Sequence, residues 1–338
     1  MDVQLELLQP LQPTATQSMV EQCIDDASSQ AQQNRLSQQT QQFTFDQIVG
    51  QKIALSALQN AIASNRIAPA YLFAGPDGVG KTLAAIAFIN QWLGIANLQN
   101  HPDLLWIEPT YVHQGELIPA TRATEDELLC KTPLAIRIDQ IRKVSEFLST
   151  SALDVSFKVA VIQHADAIYP AAANALLKTL EQPISGILIL ISSNPAQLLP
   201  TVTSRCQKIP FFSLLSTEIL QVLSQGGYTE IIARPEIIAL ANGSPGRAIY
   251  HYQKLRSLPP ELLSHLQLPP TDLITALSLG KEAELLNFQQ QLWLLEYLEY
   301  CWWHQLKDPT WLAKLDNAKN QLKQLAQPRL VWDVLLIP

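Results

Sequence analysis

The sequence predicts a parallel-sheet α/β domain followed by purely helical segments, and three observations carry that reading. The first is a strand, a glycine loop and a helix in direct succession: Tyr71-Leu72-Phe73-Ala74, then Gly75-Pro76-Asp77-Gly78-Val79-Gly80-Lys81-Thr82, then Leu83-Ala84-Ala85-Ile86-Ala87-Phe88-Ile89. The second is a pair of short apolar runs, Lys158-Val159-Ala160-Val161-Ile162 and Ile187-Leu188-Ile189-Leu190-Ile191, set among helical stretches between residues 43 and 211. The third is a change of character beyond residue 211, where strand-like runs give way to helical ones.

Taken in order, residues 1–42 are dominated by glutamine and small polar residues, with the pairs Gln32-Gln33, Gln38-Gln39 and Gln41-Gln42. Such a composition reads as a disordered or marginally helical extension. The glycine loop that follows has the pattern G-x-x-x-x-G-K-T of a phosphate-binding loop. Gly75, Gly78 and Gly80 let backbone N–H groups converge on phosphate oxygens, and the helix N-terminus adds the positive end of its dipole. Lys81 would reach the β- and γ-phosphates, and the Thr82 hydroxyl would sit on Mg²⁺. ATP and Mg²⁺ are therefore the expected cofactors.

The run from Lys158 to Ile162 reads as a buried strand whose C-terminal edge, Gln163-His164, lies near that nucleotide. Hydrolysis needs a carboxylate in the Mg²⁺ shell at this edge, and neither residue supplies one. Gln163 can hydrogen-bond a metal-bound water without bringing charge, and a histidine suits Mg²⁺ poorly because this ion prefers oxygen. Asp166 lies two residues further on and would substitute only if the strand were extended. The chain is thus equipped to hold a nucleoside triphosphate and ill equipped to cleave it. Segment 137–158 carries Arg137, Arg142, Lys143 and Lys158 against Asp139, Glu146 and Asp154, a near balance that reads as a solvated helix face.

Residues 212–255 read as a small helical lid broken at Gly226-Gly227. Residues 256–338 hold Trp293, Trp302, Trp303, Trp311 and Trp332 of the seven tryptophans, and Leu285, Phe288, Leu292, Leu295 and Trp302 fall close to one helical stripe.

Three further segments narrow the family: Ala171-Ala172-Ala173-Asn174-Ala175-Leu176-Leu177-Lys178-Thr179-Leu180-Glu181-Gln182-Pro183, Ile187 to Asn194, and Leu198-Leu199-Pro200-Thr201-Val202-Thr203-Ser204-Arg205-Cys206. With the phosphate loop and Phe45-Asp46-Gln47-Ile48-Val49-Gly50-Gln51, they resemble the clamp-loader branch of the AAA+ ATPases, and within it the delta-prime group of the bacterial DNA polymerase III holoenzyme. The resemblance covers roughly residues 43–250; beyond 250 it is one of helical character and length.

It implies an AAA+ nucleotide-binding domain at 43–211, the lid at 212–255 and a C-terminal all-α collar domain at 256–338 through which subunits assemble. It implies a cytoplasmic subunit of a nucleotidyltransferase holoenzyme, acting with motor and delta subunits to place a sliding clamp on primed DNA. Arg205, in the Ser204-Arg205-Cys206 string, would be an arginine finger acting in trans on a neighbour's ATP, with an arginine on a surface turn as the alternative. Arg247 matches the second sensor of the lid, and its alternative is an exposed arginine in a helix's first turn. Ser193 falls where the first sensor's polar residue belongs, or simply caps a strand exit. Ile48 and Val49 sit where the family packs adenine, or pack in the core. Cys206 reads as a small packing residue and no nucleophile. An autonomous ATPase motor of the same assembly and a nucleotide-responsive regulator outside replication are the competing readings. Gln163-His164 disfavours the motor, and a regulator leaves Ser204-Arg205-Cys206 unexplained.

Composition bounds the rest. A chain of 338 residues has room for two or three domains. Its net charge of -7 argues against non-specific DNA binding by the isolated chain. Cys23, Cys130, Cys206 and Cys301 are far apart and form no C-x-x-C pair, so a zinc module of the kind many relatives insert after the phosphate-loop helix is not expected. No leader pattern and no uncharged apolar run of about 18 residues is evident, which disfavours export and membrane insertion.

Overall fold

In a computed structural model of the chain, residues 43–95, 98, 100–113, 116–119, 134–181 and 186–337 are described. The glutamine-rich extension lies outside them, as do Cys23 and Cys130. The central element is a five-stranded sheet in the order β2-β5-β6-β1-β7. Its strands are β1 (Ala70–Ala74), β2 (Leu104–Ile107), β5 (Lys158–Ile162), β6 (Gly186–Ser192) and β7 (Gln207–Pro210), and every recorded pairing is parallel. β3 (Thr110–His113) and β4 (Glu116–Pro119) form a separate antiparallel hairpin.

Alternate residues of the strands divide cleanly between two cores. Tyr71, Phe73, Val159, Val161, Ile187 and Ile189 face one side, where α1 (Lys52–Ala63) contributes Leu58 and α2 (Lys81–Leu93) contributes Phe88. Leu72, Ala160, Ile162, Leu188 and Leu190 face the other, against Ile141 and Val144 of α3 (Ile138–Ser149) and Leu176 of α4 (Pro170–Glu181). Strands buried on both faces need apolar residues at every position, which is why β1, β5 and β6 read as unbroken apolar runs.

After β7 the chain is helical. Short α5 (Pro200–Thr203) precedes β7, and α6 (Ser216–Gln225), α7 (Thr229–Ile232), α8 (Pro235–Leu240) and α9 (Pro245–Arg256) follow it, in the stretch expected to form a lid. Gly226 caps α6, and Gly227 turns the chain at φ 77. Five helices complete the chain: α10 (Pro260–His265), α11 (Leu273–Glu284), α12 (Phe288–Leu306), α13 (Pro309–Lys323) and α14 (Pro328–Leu336). Trp302 and Trp332 are fully buried among them. Their side chains are satisfied as well as packed: Trp302 Nε1 donates to Leu266 O at 2.9 Å, and Trp332 Nε1 to Gln291 Oε1 at 3.0 Å.

Two sequence expectations are corrected here. Lys158 does not belong to a solvated helix face: α3 ends at Ser149, and Lys158 starts β5 buried, its ammonium 4.6 Å from the Phe147 ring centroid and bonded to Thr150 Oγ1. Leu285 is not part of the tryptophan stripe. The Asn287 side chain accepts from Gln290 N at 2.8 Å and caps α12, so Leu285 falls at the end of α11 with 81% of its surface exposed. Of the other four, Leu295 and Trp302 are buried, and Phe288 and Leu292 are partly buried against the core.

Candidate functional site

The carboxyl ends of β1, β5 and β6 open into a cavity of about 790 Å³ lined by the phosphate loop, the exits of β5 and β6 and the first turn of α9. A parallel sheet places its ligand cleft at this edge because each strand exit there leads into a loop and a helix N-terminus.

The loop's geometry depends on its glycines. Gly78 and Gly80 adopt φ 71 and φ 99, a region that disfavours side chains. A Cβ on Gly75 would lie 2.2 Å from Phe211 O, so β7's exit fills the space a side chain would need. Gln51 holds the same junction. Its Nε2 donates to Phe212 O at 2.7 Å and to Val79 O at 3.3 Å, while its Oε1 accepts from Phe212 N at 3.1 Å. Lys81 is buried, donating from Nζ to Gly75 O at 2.7 Å and Pro76 O at 2.6 Å, with Asp77 Oδ1 at 3.5 Å. Burial pulls its pKa below the ordinary lysine value, against the opposing pull of Asp77 and Asp166. Thr82 lines the cavity beside it.

At the second strand's exit, Gln163 and His164 also line the cavity. His164 adopts φ 47, and this left-handed residue turns the chain into a 3-10 turn, Ala165–Ala167. The turn brings Asp166 back toward β6 without any extension of β5. Asp166 Oδ1 accepts from Ser192 Oγ at 2.8 Å and from Ser193 N at 3.0 Å, and its Oδ2 accepts from Ser193 Oγ at 3.3 Å. Asp166 thus fixes the orientation of Ser193 at the cavity wall.

The first turn of α9 bounds the site from the other side. Ser244 Oγ donates to Asp77 O at 2.6 Å and accepts from Arg247 N at 3.1 Å, and Gly246 N donates to Gly78 O at 3.0 Å. Arg247 and Tyr250 line the cavity from α9. Neither Ile48 nor Val49 is among the lining residues. Ile48 instead packs on the core with its Cγ2 3.9 Å from the position of a Cβ on Gly80.

Arg205 stands apart. Its NH1 donates to Thr201 O at 3.0 Å and its NH2 pairs with Glu181 Oε1 at 2.8 Å, with 39% of the side chain exposed. It does not line its own chain's cavity. Cys206 beside it is partly buried, and burial pushes its thiol up to about 11.

The donors fit a magnesium nucleotide. Glycines at positive φ give the loop a backbone path suited to phosphate, and a lysine and an arginine line the same cavity as Thr82. Among the described residues, no group of three or more His, Cys, Asp or Glu side chains could hold a metal ion. A metal here would therefore take its oxygen ligands from phosphate, water and Thr82. Sequence reasoning gave no structural role to Gln51, Ser244 or Glu181, whose partners are distant along the chain. Their identities alone carry no such signal.

Comparison with known proteins bears on the same features. A family model described as "DNA polymerase III, delta subunit" matches residues 50–214, and one described as "Cyanobacterial DNA polymerase III delta prime, C-terminal domain" matches residues 217–338. The chain is 31% identical over 173 residues to the DNA polymerase III subunit delta' of Bacillus subtilis, covering 46% of each. It is 31% identical over 198 residues to that of Pseudomonas aeruginosa, covering 53% of this chain and 54% of the relative. Against DNA polymerase III subunit tau of Bacillus subtilis it is 30% identical over 200 residues, covering 56% of this chain and 34% of the relative. The matched region thus spans about half the length of the curated delta' relatives, and less of the tau subunit. A solved gamma subunit-related protein of Thermotoga maritima superposes with a TM-score of 0.50 at 17% identity, covering 83% of this chain and 97% of that one, a likeness of fold.

Proposed function

Because the chain belongs to the DNA polymerase III delta-prime family of AAA+ clamp-loader proteins, we propose that it is a ring subunit that holds ATP and lends an arginine to its neighbour. In that role it would work in the cytoplasm with motor and delta subunits, loading a sliding clamp on primed DNA.

The observation that carries this reading is the division of labour between two ends of the sheet domain. The cavity has a full phosphate cradle but Gln163 and His164 where hydrolysis needs carboxylates. Arg205 sits outside that cavity, half-exposed, on the turn after α5. A guanidinium directed away from its own nucleotide suits a γ-phosphate held by an adjacent subunit.

Within the chain's own site, Gly75, Gly78 and Gly80 shape the cradle, Lys81 would turn from the Gly75 and Pro76 carbonyls to phosphate, and Thr82 would hold Mg²⁺. Bound Mg²⁺ would neutralise phosphate charge. Asp166 orients Ser193, and Arg247 reports from the lid. The adenine position expected of Ile48 and Val49 would lie at the loop's flank, where the Ile48 side chain packs on the core.

The test is reconstitution. The purified chain should enter an assembly with delta and motor subunits of the same source, and omitting it should abolish clamp loading on primed DNA. Undiminished loading without it would sink the assignment. An autonomous motor is the weaker reading, since no carboxylate stands at 163 or 164.

A further inference from the structure

We propose that Glu296 is a positioning residue for the nucleotide site, acting through Arg247 and tying nucleotide occupancy to the seat of the C-terminal helices. The inference rests on the nucleotide reading of the cavity and goes beyond it, since Glu296 lies on α12, outside the lid and the sheet domain.

Arg247 lines the nucleotide cavity, and its NH2 lies 3.1 Å from Glu296 Oε1. The guanidinium that faces the cavity is therefore already paired, and polyphosphate meets a dipole where a free arginine would offer a cation. Any phosphate oxygen that recruits Arg247 must compete with the Glu296 carboxylate, whose own charge also repels it. The pair sits where α9 meets α12, on a packed junction. One residue beyond Tyr250, His251 is buried and accepts from Trp293 Nε1 at its Nδ1, 2.9 Å away, and Trp293 lies one turn before Glu296. Tyr250 lines both the nucleotide cavity and a second cavity of about 260 Å³ that Trp293, Glu296, Lys319 and Lys323 also line. At the other end of the same turn, the Gly246 N to Gly78 O bond and the Ser244 Oγ to Asp77 O bond fasten α9 to the phosphate loop. One short helix thus touches phosphate loop and C-terminal domain at once.

Linkage makes the effect reciprocal: if nucleotide draws Arg247 from Glu296, removing Glu296's charge must favour nucleotide. Both side chains are roughly two-fifths exposed, at 39% and 43%. The effect is accordingly that of a half-solvated pair, about two- to five-fold in affinity.

The test is a double-mutant cycle on the full chain, with Mg-ATP binding measured by calorimetry for wild type, Glu296→Gln, Arg247→Ala and the double variant. Thermal melts confirm that each is folded, and Glu296→Asp supplies a second variant that keeps the charge. The expected result is tighter binding by Glu296→Gln, weaker binding by Arg247→Ala, near-wild-type binding by Glu296→Asp and loss of most of the Glu296→Gln gain without Arg247. Unchanged or weaker binding by Glu296→Gln overturns the inference, and so does a gain of equal size without Arg247, which would make Glu296 a remote charge. No binding by the wild-type chain would overturn the nucleotide reading itself, and this inference with it.

Discussion

An ammonium removed from water must be replaced in its hydrogen bonding, and Lys81 finds two loop carbonyls at 2.7 and 2.6 Å. Those acceptors are uncharged and Asp77 Oδ1, at 3.5 Å, belongs to a half-exposed side chain, so a phosphate in the cavity brings added negative charge and draws the ammonium from the carbonyls. Lys81→Ala should then weaken Mg-ATP binding by the isolated chain about ten- to hundred-fold, the worth of one charge-assisted hydrogen bond. Calorimetry checks this. The wild-type chain's own turnover should stay well under about 1 s⁻¹, a low enzyme rate, because Gln163 and His164 bring no carboxylate. Cys206 gives a simpler residue-scale test. With its thiol pushed up to about 11 by burial, the thiolate is scarce at pH 8. Alkylation at Cys206, followed by peptide mass spectrometry, should be slow in the native chain and accelerate on unfolding. Equal rates in both states would contradict its burial.

At the scale of elements, the turn between α3 and β5 depends on a single buried side chain. The Asp103 carboxylate accepts from Leu153 N at 2.8 Å, Asp154 N at 2.6 Å and Val155 N at 3.1 Å, and Asp103 O receives Val159 N at 2.9 Å. Burial resists its ionisation, but the three N–H donors outweigh burial and hold its carboxyl below the ordinary value. Asp103→Ala strands those donors and should destabilise the fold by about 1–3 kcal/mol, read from urea midpoints at neutral pH. A depressed carboxyl adds stability above its unfolded value and loses it as pH falls through the lower folded value. The gap between wild type and variant should therefore close in acid, below about pH 4. A gap that widens there would reverse the assignment.

Elements of this kind were unequally legible in the sequence. The phosphate loop, β5, β6 and the break at Gly226-Gly227 depend on local chemistry, either continuous apolar runs or glycine, and local chemistry is written in order. The return of Asp166 depends on left-handed His164, a backbone state its neighbours do not dictate. The exposure of Leu285 follows from the Asn287 cap, a competing signal that helical spacing alone overlooks. The pairing of Arg247 with Glu296 spans 49 residues and follows only from the docking of α9 on α12.

At the scale of the whole molecule, one continuous core runs from Tyr71 and Phe88 beneath the sheet through Leu223 and Leu255 of the lid to Trp302 and Trp332 of the last helices. The helices from α6 onward therefore share that core by packing. The division at 211 and 255 remains the one the family resemblance proposes, and we retain it as such. Arg205 is held locally, with Glu181 and Thr201 O fixing its guanidinium at the end of α4. Its distance from the chain's own cavity is the centre of the account. Arg205→Ala, assayed in the isolated chain and in the reconstituted assembly, tests this directly. The account predicts Mg-ATP affinity of the chain within about two-fold of wild type, and DNA-stimulated ATPase of the assembly lowered by about 10³ at the site this arginine serves. A loss of the chain's own ATP binding, or an assembly ATPase that does not change, would contradict it.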